Sequence, residues 1–254
     1  ELYMIPISIF VMTRAHPKKM GFLEHTIQSI DKSALRFQEK ILVIDNYPNS
    51  AQSPKLVDWT ILRGNWRHRT LATQAVLRYI NTPYVMYQED DILLHLPENI
   101  KCILEHVFVK TYMNRKHGYL SFTLGGSTFD YNLSDTADLV YTKEKLLYED
   151  INTLVFVREE EKKSDYFVNY PTAIFDTELY REINKESLKY IEDQTEVALT
   201  KAYFEIKADN SYFKTTLCRS NLHNILHNDK WALDKKCLYI EAIDPGQGKG
   251  FYLG

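Results

Sequence analysis

Residues 84–94 constrain the fold of this chain more than any other stretch. An apolar, strand-forming run leads into three consecutive carboxylates, Glu89, Asp90 and Asp91, and a second apolar run begins at Ile92. Adjacent acids at the end of a buried strand repel one another and lose hydration unless a positive charge lies among them. Mg2+ and Mn2+ prefer such oxygen ligands, and phosphates of a substrate commonly complete their coordination. The stretch therefore predicts a metal-dependent site for a phosphorylated substrate, with a solvated acidic turn as the alternative.

The composition narrows the class of protein. A chain of 254 residues that is 44% hydrophobic and 26% charged is long enough, and apolar enough, for one large globular domain or two small ones. The formal net charge of -3 provides no basic field, so we expect no nucleic-acid partner. No apolar window reaches the length of a membrane span, so we expect no integral span in this chain.

The number and spacing of the cysteines indicate the redox state of the compartment in which the protein folds. Cys102, Cys218 and Cys237 are odd in number and far apart, which indicates a reducing compartment rather than a disulfide framework or a zinc site. A cytoplasmic enzyme is therefore expected. Since the chain begins at Glu1, a lumenal catalytic domain whose anchor has been trimmed is the alternative.

The first half of the chain alternates apolar runs with segments of helical spacing. Residues 5–12 form a continuous apolar run, typical of a strand buried on both faces of a parallel sheet. Helical spacing follows over 22–30, and a second strand is predicted at 40–44. Such a strand–helix–strand unit pairs its strands in parallel through a right-handed crossover. A short strand at 59–62 and a helix at 71–80 then precede the acidic strand.

The second half is less regular. A strand is predicted at 154–157, the charged run 158–165 is expected to be a solvated turn, and 166–170 is the candidate hairpin partner. Two helices are expected later in the chain. One begins with Asp176 or Thr177 as its N-cap, and the other covers 190–202. This pattern predicts an α/β fold in which a mixed sheet is flanked by helices.

Polar residues follow three consecutive strands at the point where each ends. Thr13 and Arg14 follow the first, Asp45 follows the second, and the acidic triplet follows the strand at 84–89. In an open parallel sheet, ligands bind at the carboxyl ends of the strands. We therefore expect these side chains to line one crevice.

This arrangement, with Arg69 opening the helix before the acidic strand, resembles the nucleotide-sugar half of GT-A glycosyltransferases, and family 2 of the inverting enzymes in particular. The Glu-Asp-Asp triplet also resembles the metal motif of the N-acetylglucosaminyltransferases of N-glycan processing. The resemblance covers roughly residues 1–110 of the chain. It implies that Thr13 and Arg14 hold the nucleotide, that Asp45 contacts the base or ribose, and that Arg69 contacts the uracil.

The resemblance also divides the acidic triplet by role. Asp91 would bind Mn2+ or Mg2+, Asp90 would face the ribose or the sugar, and Glu89 would be a supporting acid. A nucleoside diphosphate leaves poorly until its charge is neutralised, which is why such a reaction uses a metal between the two phosphates.

An inverting transfer also needs a general base for the acceptor hydroxyl. Glu192 and Asp193 precede a predicted amphipathic helix, as a Glu-Asp pair does in the family, and the resemblance implies that Asp193 is the base. The alternative is that both acids only cap the helix and complement its dipole. His223 and His227, spaced one helical turn apart, receive no role.

Together with the resemblance, these observations predict a single GT-A domain, with a nucleotide-sugar-binding half at 1–115 and an acceptor half at 116–254. The expected activity is metal-dependent transfer of a sugar from a nucleotide-sugar, with UDP the expected nucleotide, to a hydroxyl of a glycan or glycoprotein acceptor. Inversion is expected because Asp193 is a candidate base, and a retaining enzyme is the alternative. A non-catalytic carbohydrate-binding protein and a sugar nucleotidyltransferase are the alternatives. The latter class needs a glycine-rich loop after the first strand, where this chain has Thr13, Arg14, Ala15 and His16.

Overall fold

The structure is a computed structural model. It describes residues 6–14, 20–45, 56–66, 68–90, 92–95, 104, 117–122, 142–149, 153–160, 172–193, 195–209, 214–220 and 239–242. The strands are β1 Ile7–Thr13, β2 Lys40–Asp45, β3 Thr60–Gly64, β4 Tyr84–Glu89, β5 Ile92–His95, β6 His117–Phe122, β7 Thr142–Glu149, β8 Thr153–Glu160, β9 Thr172–Asp176, β10 Lys214–Ser220 and β11 Tyr239–Ala242. The helices are α1 Met20–Asp31, α2 Arg69–Leu77, α3 Thr177–Ser187 and α4 Thr195–Asp209, with a 3-10 turn at Leu188–Tyr190.

A nine-stranded sheet in the order β3-β2-β1-β4-β9-β6-β10-β8-β7 forms the centre of the molecule, and β11 and β5 form a separate pair. β1 pairs in parallel with both β2 and β4, whereas β9 runs antiparallel between β4 and β6. The carboxyl ends of β1, β2 and β4 therefore lie at one edge of the sheet. This mixed sheet flanked by helices confirms the predicted fold class.

The core explains why the apolar runs became strands. Every residue of β1 from Ile7 to Val11 is buried, as expected for a strand covered on both faces. One hydrophobic cluster joins β1, β2, β4 and β9 to α2, α3 and α4, so it includes residues from both predicted halves of the chain. Within it, the rings of Phe175 and Tyr180 stack with centroids 4.0 Å apart.

Helix α3 is fastened to both ends of α2. Near the first turn, Asn184 Nδ2 donates to the carbonyl of Thr70 at 3.3 Å. At the other end, Arg181 Nη2 donates to the carbonyl of Leu77 at 3.0 Å and to that of Ile80 at 2.6 Å. These bonds connect α2, which precedes the acidic strand, to the second half of the chain. Among the described residues, no helix is both long and apolar enough to cross a membrane.

The predicted solvated turn at 158–165 was wrong for the residues that the structure describes. Residues 158–160, expected in a solvated turn, lie in β8, which pairs with β7 and β10. The expected partner at 166–170 lies outside the described residues. The register of β7 and β8 places Lys143 opposite Glu159 and Glu144 opposite Arg158. The charged sequence at 158–160 therefore forms part of a strand.

The helix predicted over 190–202 was also misplaced. The 3-10 turn ends at Tyr190, the chain turns through Asp193, and α4 begins at Thr195. The cap predicted for the preceding helix is confirmed, since Asp176 Oδ1 accepts from the backbone N–H of Leu179 at 3.1 Å.

Candidate functional site

Asp90 is held in place by two threonines. The hydroxyl of Thr13, at the end of β1, donates to Asp90 Oδ2 at 2.6 Å, and the hydroxyl of Thr26 on α1 donates to the Asp90 carbonyl at 3.0 Å. Both threonines are buried. Thr13, predicted to hold the nucleotide, thus orients the carboxylate of Asp90 at the carboxyl ends of β1 and β4.

Glu89 and Arg69 form an ion pair across the same edge. Arg69 Nη1 lies 2.9 Å from Glu89 Oε1, and the two side chains are 36% and 13% exposed. The pair joins the first residue of α2 to the last residue of β4. It supplies the positive charge that the acidic strand end requires, and it presents a partly exposed guanidinium at the edge where the sequence predicts a nucleotide.

Asp45 lies at the end of β2 and is tied to the chain that follows β3. Its Oδ1 accepts from the backbone N–H of Trp66 at 3.2 Å. The Trp66 ring lies so close to Gly64 that an added Cβ would approach it to 2.4 Å, so a side chain at this position would displace the ring. Arg14, just after β1, is exposed. Asp91, the predicted metal ligand, lies outside the described residues.

His68 lies directly before Arg69, and the sequence did not single it out. It is the N-cap of α2, with extended backbone, and its Nδ1 accepts from the backbone N–H of Thr70 at 3.1 Å. Burial lowers the pKa of His68, the neighbouring Arg69 cation lowers it further, and Glu192 opposes both. The usual N-cap residues are Ser, Thr, Asp and Asn, so a histidine before a helix gives little signal in the sequence.

Asp193, the predicted base, lies in the turn before α4. Its Oδ2 lies 2.9 Å from Lys201 Nζ, and its backbone N–H donates to the Tyr190 carbonyl at 2.9 Å. The ammonium of Lys201 also lies 5.3 Å from the centroid of the Tyr190 ring. Glu192, which directly precedes Asp193 in this turn, raises the pKa of His68 at the start of α2.

The predicted metal site depends on which oxygen donors lie at this edge of the sheet. Within the described ranges, no three His, Cys, Asp or Glu residues are grouped so as to hold a metal ion. Mg2+ is usually bound through only one or two carboxylates together with phosphates of the substrate, so a three-residue group is not required. The oriented carboxylate of Asp90 is a suitable donor type, and metal binding at this edge stays a prediction.

The arrangement of the sheet and helices defines the class of fold: the chain has a GT-A-like α/β fold. No family model matches it, and no curated protein matches it by sequence. S. aureus TarS 1-349 in complex with UDP-GlcNAc matches with a TM-score of 0.50 and 13% identity, over 83% of this chain and 55% of TarS. The complex of TarS with UDP matches with a TM-score of 0.50 and 13% identity, over 83% and 57%.

The chain thus spans somewhat more than half of the length of the TarS chain that it matches. A second kind of protein is also similar. The 2-C-methyl-D-erythritol 4-phosphate cytidylyltransferase from Thermus thermophilus matches with a TM-score of 0.42 and 15% identity, over 78% of this chain and 84% of the cytidylyltransferase. At 13% identity, the likeness to TarS shows a shared fold.

Proposed function

We propose that the protein is a glycosyltransferase that moves a sugar from a nucleotide-sugar, with UDP the preferred nucleotide, to a hydroxyl of a glycan or glycoprotein acceptor, with inversion and with dependence on Mn2+ or Mg2+. The observation that carries the proposal is the 2.6 Å hydrogen bond from Thr13 to Asp90. It joins the ends of β1 and β4 and fixes a carboxylate where an open α/β sheet binds ligands. The similar TarS structures contain UDP or UDP-GlcNAc, which supports the choice of donor.

In this proposal the edge of the sheet divides into subsites. Asp45 and Arg69 recognise the base and ribose, because a carboxylate and a guanidinium together offer acceptors and donors to a pyrimidine nucleoside. The exposed Arg14 binds the phosphates. Asp90 accepts from hydroxyls of the ribose or the sugar. Asp91 would hold the metal, whose chemistry when bound is to neutralise the charge of the departing diphosphate.

Asp193 serves as the general base. Its carboxylate takes the proton of the acceptor hydroxyl while that oxygen forms a bond to the anomeric carbon of the sugar. The bond from that carbon to the diphosphate breaks at the same time, and its electron pair leaves with the diphosphate. The ion pair with Lys201, at 2.9 Å, holds the carboxylate in one orientation for this transfer.

Calorimetric titration with UDP and with GDP, each with and without Mn2+, tests the proposal. We expect UDP to bind more tightly than GDP, and Mn2+ to strengthen the binding of UDP. Asp91→Ala should abolish the effect of the metal. Asp193→Asn should abolish transfer while the affinity for UDP is retained.

The matched control for the acidic edge is Glu182→Gln, since Glu182 is an exposed acid on α3. Asp90→Asn should weaken UDP-sugar binding by about tenfold, whereas Glu182→Gln should leave it unchanged. Failure of the wild-type protein to bind either nucleotide, or binding of UDP that is indifferent to Mn2+, would contradict the proposed function.

A further inference from the structure

We propose that His68 contacts the donor substrate, with its Nε2–H donating a hydrogen bond to an oxygen of the nucleotide-sugar. The inference rests on the proposed function and adds a binding residue to that site. It assigns His68 two tasks on the two sides of one ring: Nδ1 caps α2, and Nε2 binds the substrate.

The cap determines which nitrogen carries the proton. Nδ1 of His68 accepts a hydrogen bond from the Thr70 N–H at 3.1 Å, and a ring nitrogen that accepts has no proton of its own. In the neutral ring the proton must therefore be on Nε2. Within the described part of the chain, no protein group accepts from this Nε2–H, although the side chain is partly buried.

The surroundings keep the ring neutral. The lowered pKa of His68 has burial as its largest cause and the adjacent Arg69 as the second, with Glu192 acting in the opposite direction. Protonation would place a hydrogen on Nδ1, directly against the N–H of Thr70, and so would remove the cap. A neutral imidazole with its proton on Nε2 is a hydrogen-bond donor on that side, so it suits a substrate oxygen and excludes a metal ion.

The position of His68 favours the substrate as the acceptor of this bond. His68 directly precedes Arg69, whose guanidinium pairs with Glu89 at the acidic strand end. His68 also interacts electrostatically with Glu192, which directly precedes Asp193 and raises the pKa of His68. His68 therefore lies at the start of α2, beside the residue that pairs with the acidic strand end.

Two substitutions separate the tasks of the ring. His68→Asn retains an acceptor at the δ position, as Nδ1 provides, but has nothing that reaches the position of Nε2. His68→Gln places an amide donor near the position of Nε2 but loses the δ acceptor. Both variants are examined by thermal unfolding and by calorimetric titration with UMP, UDP and UDP-GlcNAc in the presence of Mn2+.

We expect a crossed result. His68→Asn should unfold at the wild-type temperature but bind the ligand about tenfold more weakly, the usual cost of one hydrogen bond to a charged or strongly polar group. His68→Gln should unfold about 2–4 °C lower, because a helix cap is lost, but retain most of the affinity. If His68→Asn binds UMP, UDP and UDP-GlcNAc more weakly, the hydrogen bond is to the nucleoside monophosphate. If it binds UDP and UDP-GlcNAc more weakly but not UMP, the bond is to the second phosphate. If it binds only UDP-GlcNAc more weakly, the bond is to the sugar.

Wild-type affinity of His68→Asn for all three ligands would overturn the inference and leave His68 as a helix cap only. That outcome leaves the proposed function intact, since the wild-type protein would still bind the nucleotides. A wild-type protein that binds none of the three ligands would overturn both proposals.

Discussion

At the scale of single residues, His68 makes the stability of the protein depend on pH. The folded state holds this ring neutral, and its pKa lies below the ordinary value of 6.5. A group whose pKa is lowered on folding binds fewer protons in the folded state, so its contribution to stability is present above the unfolded pKa and is lost as the pH falls below it.

We therefore predict that the free energy of unfolding of the wild-type protein decreases as the pH falls from 7.5 to below about 6.5, the unfolded pKa, faster than that of His68→Asn. The asparagine preserves the cap without titrating, so the difference between the two curves isolates His68 from the other histidines. Urea unfolding at several pH values measures the difference. Parallel curves would show that protonation of His68 is not linked to folding.

The residues of the acidic edge show how much of the site the sequence could predict. Three consecutive acids after an apolar run indicated a strand end with a special charge environment, and both Glu89 and Asp90 lie there. The sequence predicted that Thr13 lies in the same crevice as the acids but not which side chains bond to each other, because Thr13 is 77 positions from Asp90 and Arg69 is 20 positions from Glu89. The hydroxyl of Thr13, expected on the nucleotide, is used to orient Asp90.

At the scale of elements, Arg181 of α3 supplies hydrogen bonds to backbone carbonyls at the C-terminal end of α2. Three nitrogens of Arg181 are engaged: Nε and Nη2 donate to the carbonyl of Leu77 at 3.3 and 3.0 Å, Nη2 also donates to that of Ile80 at 2.6 Å, and Nη1 pairs with Glu178 at 3.3 Å. A cation at a helix C-terminus satisfies carbonyls that lack partners within the helix and complements the helix dipole.

We predict that Arg181→Met lowers the free energy of unfolding by about 1.5–3 kcal/mol, because carbonyls that accept from a charged donor lose it. Glu178→Gln removes the other partner of Arg181 and is the matched control. Glu178 is 83% exposed, so its loss should cost less than about 1 kcal/mol. Chemical denaturation of both variants tests this, and equal losses would indicate that the bonds from Arg181 to the carbonyls of Leu77 and Ile80 add nothing beyond the ion pair within α3.

The strands differ in how well the local sequence pattern predicts them. The strands β1, β2 and β4 were predictable because a strand buried on both faces needs a continuous apolar run. The sequence of β7, TKEKLLYE, carries charges at half of its positions and offers no such run. β7 pairs with β8, the next strand along the chain, and the register shifts between Leu146 and Tyr148, so no strict alternation marks this pair of strands in the sequence.

At the scale of the whole molecule, the two predicted halves share one core. The sheet passes from the parallel strands β1, β2 and β4 directly to β9, and the hydrophobic cluster includes Phe10 and Val76 from the first half together with Phe175 and Tyr203 from the second. A half that unfolded alone would expose the apolar surface of the other, at a cost of about 25 cal/mol per Å2. The two predicted halves are therefore expected to behave as one cooperative structure.

We predict from this shared core that the protein unfolds in a single transition. The calorimetric enthalpy should equal the van't Hoff enthalpy, and circular dichroism and tryptophan fluorescence should report the same midpoint. Tyr203→Ala, a change in the second half, should lower that midpoint for the entire molecule, because Tyr203 is buried in the cluster that also covers α2. Two transitions, with only one of them shifted by Tyr203→Ala, would show that the nucleotide half folds independently of the acceptor half.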